Sequence, residues 1–248
     1  MQQPGNSPDQ SSAASLQSLL PIHDEPQPCP YLPDQQARMP LLWSPRPLSL
    51  VETDDFLAAG YRRSGQFLYH TQCPSCAACI PTRVPASQFT WSRSLKRVLQ
   101  KCDATLRVRI QPPVIDDRRL QLINLHRSSR GLGRTSEPLE QADYASFLVE
   151  TCCDTQELSY WLNDQLIAVA IADVGQTAIS AVYCFFDPAH SRLSLGTYSI
   201  LKQLQWVQQS HRQFLYLGMY VEANPHLSYK ARFLPQQRLV DGTWQTAS

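Results

Sequence analysis

The apolar positions of this chain change rhythm twice. Residues 1–27, MQQPGNSPDQSSAASLQSLLPIHDEPQ, show no period and are rich in Pro, Ser and Gln. A segment with so little apolar surface to bury stays unfolded, so it reads as a disordered leader, with order expected from about Cys29. Residues 28–103 are Pro- and Cys-rich with short apolar runs. Thr53–Ala59 suits one or two helical turns ended by Gly60, and Phe67–Tyr69 and Ile80–Val84 suit short strands. Ser92–Lys101 reads as a basic helix with Leu95, Val98 and Leu99 on one face.

Residues 104–240 are more regular. Thr105–Ile110 alternates as a strand does, and Asp117–Ser129 reads as a helix with acids at its start and Arg130-Gly131 at its end. Glu140–Glu150 reads as a second helix. Glu157–Leu162, Leu166–Asp173 and Ala178–Phe186 follow as three consecutive strands, with Asn163-Asp164 suited to a hairpin turn. Leu195–Gln209 carries Ile200, Leu201, Leu204 and Val207 on one helical face, and Phe214–Val221 is a further strand. Residues 241–248 are expected to be a tail. This order predicts an α/β fold, an acetyltransferase-like (GNAT-like) mixed sheet with helices, preceded by a smaller Cys-rich N-terminal region. In that fold two strands splay and an acyl donor lies in the gap. Ala178–Phe186 and Phe214–Val221 are the expected pair.

Composition narrows the possible partners. The 248 residues are 43% hydrophobic, enough core for one large domain or two small ones. The net charge of +1 excludes a global basic field, so any nucleic-acid contact needs a local patch. No run approaches the roughly 20 apolar residues of a membrane span, and the N-terminus lacks the basic start and apolar stretch of a signal peptide. A cytoplasmic protein is expected. There, eight cysteines are free thiols, metal ligands or redox groups.

Several clusters carry chemistry. Cys73-Pro-Ser-Cys76-Ala-Ala-Cys79, with Cys29 as a fourth thiol, has a spacing that suits zinc or an iron–sulfur centre; the plainer reading is a packed turn of reduced thiols. Arg62, Arg63 and Arg83 offer guanidinium forks for phosphate or carboxylate. Arg93, Lys96, Arg97 and Lys101 form one helical stripe that could meet an RNA backbone or be a solvated face. Ser194-Leu-Gly196-Thr-Tyr198 opens a helix where an anion could sit, yet a single glycine is thin for a coenzyme A pyrophosphate. Tyr183, Phe185, Phe186, Tyr216 and Tyr220 are either pocket walls or sheet core. Ser228-Tyr-Lys230-Ala-Arg232-Phe233 is a basic, aromatic segment that closes over a substrate or forms a last edge strand.

Together these segments resemble the bacterial aspartate/glutamate leucyltransferases, relatives of the eukaryotic arginyl-tRNA–protein transferases. The similarity rests on Cys29-Pro-Tyr-Leu-Pro33, Gly60-Tyr-Arg-Arg-Ser-Gly65, Tyr69 with the three clustered cysteines, Pro81-Thr-Arg-Val84 and Ser92-Arg-Ser94. In the second half it rests on Ser180-Ala-Val-Tyr183, Phe185-Phe-Asp-Pro188, Ser194 to Ile200, Tyr216-Leu-Gly218 and Tyr229-Lys-Ala-Arg-Phe233. The eukaryotic relatives carry a second cysteine where Leu32 stands, which favours the bacterial subfamily.

The resemblance implies transfer of Leu from leucyl-tRNA to proteins with N-terminal Asp or Glu, marking them for degradation in the N-degron pathway. It implies no membrane partner and no cofactor required for the chemistry. On that reading Arg62, Arg63 and Arg83 are candidates for the acidic acceptor. Tyr183, Phe185, Tyr198, Tyr216, Gly196, Arg93, Lys96, Arg97, Lys230 and Arg232 are candidates for the donor and its tRNA, and Asp187 and Tyr198 for proton handling. Arginyl transfer, a coenzyme A-dependent acetyltransferase, a metal-stabilised tRNA-binding module and a cysteine-based redox sensor are the competing readings.

Overall fold

The computed structural model describes residues 19–132 and 137–247. Among them the N-terminal part forms a small antiparallel sheet. It is built from β1 (Leu20–His23), β4 (Leu41–Trp43), β5 (Arg62–Ser64) and β6 (Phe67–Tyr69), in the order β1-β4-β6-β5. A separate two-stranded ribbon pairs β2 (Gln27–Pro28) with β3 (Gln36–Ala37). The expected leader therefore ends earlier than residue 27: Leu20–His23 is a strand because β4 satisfies its backbone, a partner that composition cannot reveal. Residues 1–18 lie outside the described residues.

Helix α1 (Leu50–Ala58) starts where Ser49 and Glu52 close a reciprocal capping box, and Arg46 binds the same Glu52 carboxylate at 2.6 and 2.9 Å. Helix α2 (Arg93–Asp103) is capped by Ser92. Helix α3 (Asp117–Arg130) is capped by Asp116 and stops at Gly131, whose φ of 61° closes a left-handed C-cap. The expected helix over Glu140–Glu150 is one α-helical turn, α4 (Gln141–Tyr144), that widens into a π-helical turn over Ala145–Val149.

The large sheet has the order β14-β13-β7-β12-β11-β10-β9-β8. Its strands are β7 (Ile80–Pro85), β8 (Leu106–Gln111), β9 (Asp154–Leu162), β10 (Gln165–Val174), β11 (Ala178–Phe186), β12 (Phe214–Tyr220), β13 (Gln236–Val240) and β14 (Thr243–Ala247). The β9–β10 turn uses Asn163 and Asp164, both with positive φ, as the hairpin reading requires. Strand β10 is buried along Leu166–Val174 because both sheet faces are covered. On one face helix α5 (Leu195–Gln209) and α2 pack Leu95, Leu201, Leu204 and Val207 against Ala168, Ala170 and Ala172. On the other, α3 and α4 pack Leu122, Ile123 and Tyr144 against Val169, Ile171 and Phe185.

Two placements differ from the sequence reading. β7, from the expected N-terminal region, lies inside the large sheet between β12 and β13. The expected tail after residue 240 is β14, whose Trp244 donates its Nε1–H to Ala58 O.

Candidate active site

The expected splay is present. β11 and β12 are parallel and pair through three rungs, Ala178↔Phe214, Ile179↔Leu215 and Ser180↔Tyr216. Beyond these, each strand stays bonded to its outer neighbour, β11 to β10 and β12 to β7. The facing edges of residues 181–186 and 217–220 thus run on with no strand rungs joining them. Sequence order brought this pair together through the helix that connects them, α5.

Beside the diverging half of β12 lies a cationic cluster. Its register against β7 slips between Tyr216 and Gly218, and Gly218 takes φ 85°. A Cβ there would stand 3.2 Å from Arg62 Nη2 and 3.7 Å from Lys230 Nζ. Glycine is what lets both cations reach the strand. Arg62, from β5, is 7% exposed, and Lys230, from a 3₁₀ turn over Tyr229–Arg232, is 5% exposed and donates to Met219 O. Burial first, then the Arg62 guanidinium, pushes the Lys230 ammonium down to about 7. Burial, then the neighbouring Tyr69, holds the Tyr31 phenol above its ordinary range beside Arg62.

The three expected acceptor arginines share this neighbourhood in different states. Arg63 is spent on a buried ion pair: its Nε donates to Asp173 Oδ2 at 2.8 Å, and Asp173 Oδ1 accepts from Thr155 Oγ1. Arg83 donates Nε–H to Gln237 Oε1 and Nη1–H to Tyr216 Oη. It also stacks on Phe214 at 3.8 Å and Trp244 at 4.2 Å. Both are therefore engaged within the protein. Arg62 has no ion-pair partner among the described residues, since the carboxylate that acts on it, Asp173, is held by Arg63.

The expected donor and proton-handling residues separate into lining and core. Tyr183 is half-buried on the α3 side of the diverging strand, edge-on to Phe147. Phe185 is fully buried against Tyr144, and Tyr216 is 2% exposed beneath Arg83 and Trp244. Tyr198 is fully buried, packs on Tyr160 and donates to Asp103 Oδ1 at 2.7 Å. It is a core residue on the α5 side, with its hydroxyl taken by Asp103, and not an exposed group at the opening. Asp187 ends β11, caps the following 3₁₀ turn through Ala189 N and lies 3.6 Å from Arg118 and 3.7 Å from His190.

Gly196 opens α5 with Phe186 Cε1 3.5 Å from where a Cβ would lie, and Ser194 makes no side-chain cap. Arg93, Lys96, Arg97 and Arg232 are exposed, whereas Lys230 is buried and belongs with Arg62.

The metal expectation is not supported. Among the described residues no group of three or more His, Cys, Asp and Glu side chains is disposed to hold a metal ion. Cys73 Sγ instead accepts the Arg38 N–H at 3.4 Å. Burial, with the neighbouring Cys29, Cys73 and Cys76, pushes the Cys79 thiol up to about 12.

Sequence reasoning passed over several participants. Tyr31 and Asp173 reach the site through tertiary packing. Gly218, an isolated glycine inside an apolar strand, did carry a legible sign of a bulge or close approach. His126 was also missed. Its Nδ1 lies 3.3 Å from both Phe186 N and Phe186 O, and burial, then Arg130, pushes its imidazole down to about 4.

A mixed sheet opened between two parallel strands, with unneutralised cations beside the opening, suits a group-transfer enzyme. The family models agree on the class: the arginine-tRNA-protein transferase N terminus matches residues 27–97 and the C terminus of the same family matches 118–240. The aspartate/glutamate leucyltransferase of Acinetobacter baylyi is 34% identical over 228 residues, 92% of this chain and 82% of the relative. That of Methylobacillus flagellatus is 32% identical over 217 residues, 88% and 87% respectively. The chain belongs to the aspartate/glutamate leucyltransferase family and is a transferase. Among solved structures, L-PGS from Bacillus licheniformis is 14% identical with a TM-score of 0.44, over 72% of this chain and 52% of that one.

Proposed function

We propose that this chain transfers leucine from leucyl-tRNA to the α-amine of proteins that begin with Asp or Glu, a step that marks them for degradation. The observation that carries this reading is the opening of β11 from β12 after Ser180 and Tyr216, beside the buried Arg62 and Lys230. We read the opening as the diverging pair of an acetyltransferase-like sheet. The charged 3′ end of the tRNA enters it, and the exposed face of α2 follows the RNA backbone.

The chemistry asks little of side chains. The donor is an ester and therefore already activated. The acceptor α-amine has an ordinary pKa of about 7.7–8.0, so a useful fraction is neutral near pH 7. The amine nitrogen attacks the ester carbonyl, the ribose oxygen leaves with a proton, and an amide forms. Holding both substrates in attack geometry supplies roughly 7–11 kcal/mol. Backbone N–H groups on the diverging strands stabilise the developing oxyanion. No nucleophilic serine or cysteine is needed.

The test is an in-vitro transfer assay that offers labelled leucyl-tRNA and arginyl-tRNA to peptides starting with Asp, Glu, Lys or Ala. Leucine transfer to the Asp and Glu peptides is expected. Transfer of arginine instead, or equal transfer to the Lys and Ala peptides, overturns the reading.

A further inference from the structure

Three basic side chains and one carboxylate are buried together beside β12. Arg63 takes the carboxylate of Asp173. Arg62 and Lys230 are left, 7% and 5% exposed, with no ion pair among the described residues. Their heads converge, since both lie within 3.7 Å of where a Gly218 Cβ would stand. The one carboxylate beside them, Asp173, is already held by Arg63 and Thr155. Buried basic groups of this kind are costly to charge unless they are paired, and an anion that enters beside Arg62 and Lys230 would favour the charged form of both.

We propose that Arg62 and Lys230 form a two-cation clamp for the side-chain carboxylate of the acceptor's first residue, with Lys230 a specificity-determining residue for the acceptor and not a tRNA contact. The inference rests on the leucyl-transfer reading. A planar guanidinium and a point-like ammonium meeting at one spot match the two oxygens of a carboxylate. A phosphodiester carries a sugar on either side and does not fit so enclosed a site, whereas a side-chain carboxylate ends a short, thin stem. A neutral Asn or Gln in the same position leaves both cations unpaired, which is how a polar site rejects a near-isostere.

Lys230→Met, near-isosteric and uncharged, is the test, measured by steady-state transfer kinetics and thermal unfolding. The KM for an Asp-initiated peptide is expected to rise roughly 10–100-fold, and the preference for Asp over Asn to collapse. The KM for leucyl-tRNA is expected to hold. Arg62→Met is expected to do the same. Thermal unfolding checks that the variant is folded, since Lys230→Met also removes the bond to Met219 O. An unchanged peptide KM overturns the clamp. So does a KM that rises for leucyl-tRNA instead, which would assign the cations to the RNA backbone. Wild-type protein that transfers leucine to no peptide overturns the underlying reading, a result distinct from transfer that survives Lys230→Met.

Discussion

Arg62 and Arg63 are adjacent in sequence and opposite in electrostatic setting. Arg63 closes a buried pair with Asp173, so Arg63→Met leaves a buried carboxylate held by Thr155 alone. A loss of about 3–5 kcal/mol is expected in denaturant unfolding, and Arg63→Met with Asp173→Asn should recover most of it. His126 sets a different dependence. Its folded imidazole lies near 4 against an ordinary 6.5. The depressed value means that the unfolded chain takes up the proton first as pH falls. The contribution of His126 is therefore complete above pH 6.5 and is lost progressively towards pH 4. Thermal unfolding across that window should fall in wild type and flatten in His126→Asn.

At the scale of elements, α2 presents Arg93, Lys96 and Arg97 to solvent while Leu95 and Cys102 anchor it to the core. Charge on that face can change without disturbing packing, so the triple alanine variant should unfold within about 0.5 kcal/mol of wild type. If the face follows the RNA backbone, the same variant raises the KM for leucyl-tRNA. It also reduces the salt slope of tRNA binding by about one for each phosphate that is no longer neutralised. Filter binding over a range of salt measures both. The helices α2, α3 and α5 were legible because apolar period and caps agree in each. The segment after Glu140 was legible as helical but not as a π-helical turn, since one extra residue per turn leaves little mark on a ten-residue pattern.

Over the whole molecule, the two segments matched by the family models do not fold as separate layers. β7, from the first, is bonded on one edge to β12 and on the other to β13, both from the second. A fragment of residues 104–248 therefore leaves two unpaired strand edges, on β12 and β13, where β7 belongs. It should aggregate or fail to unfold cooperatively, while co-expression with residues 1–103 should recover soluble protein. Gel filtration and circular dichroism of the fragment alone and of the pair decide this. The arrangement also explains how the site forms. Arg62 comes from the small sheet and Gly218 and Lys230 from the far end of the chain, and they meet because β7 draws the two halves into one sheet.

Local periodicity in the sequence determined the helices α2, α3 and α5, the strands β8 to β12 and the hairpin at Asn163-Asp164. These are written in spacings of two and of three to four residues, which neighbours alone can satisfy. The motif segments likewise determined the family. Which arginine is paired and which is free, that Lys230 sits with Arg62, and that Tyr198 is core were decided by the tertiary structure. A cation's role depends on whether a carboxylate lies within hydrogen-bonding reach, and here that carboxylate, Asp173, is 110 residues from Arg63 along the chain.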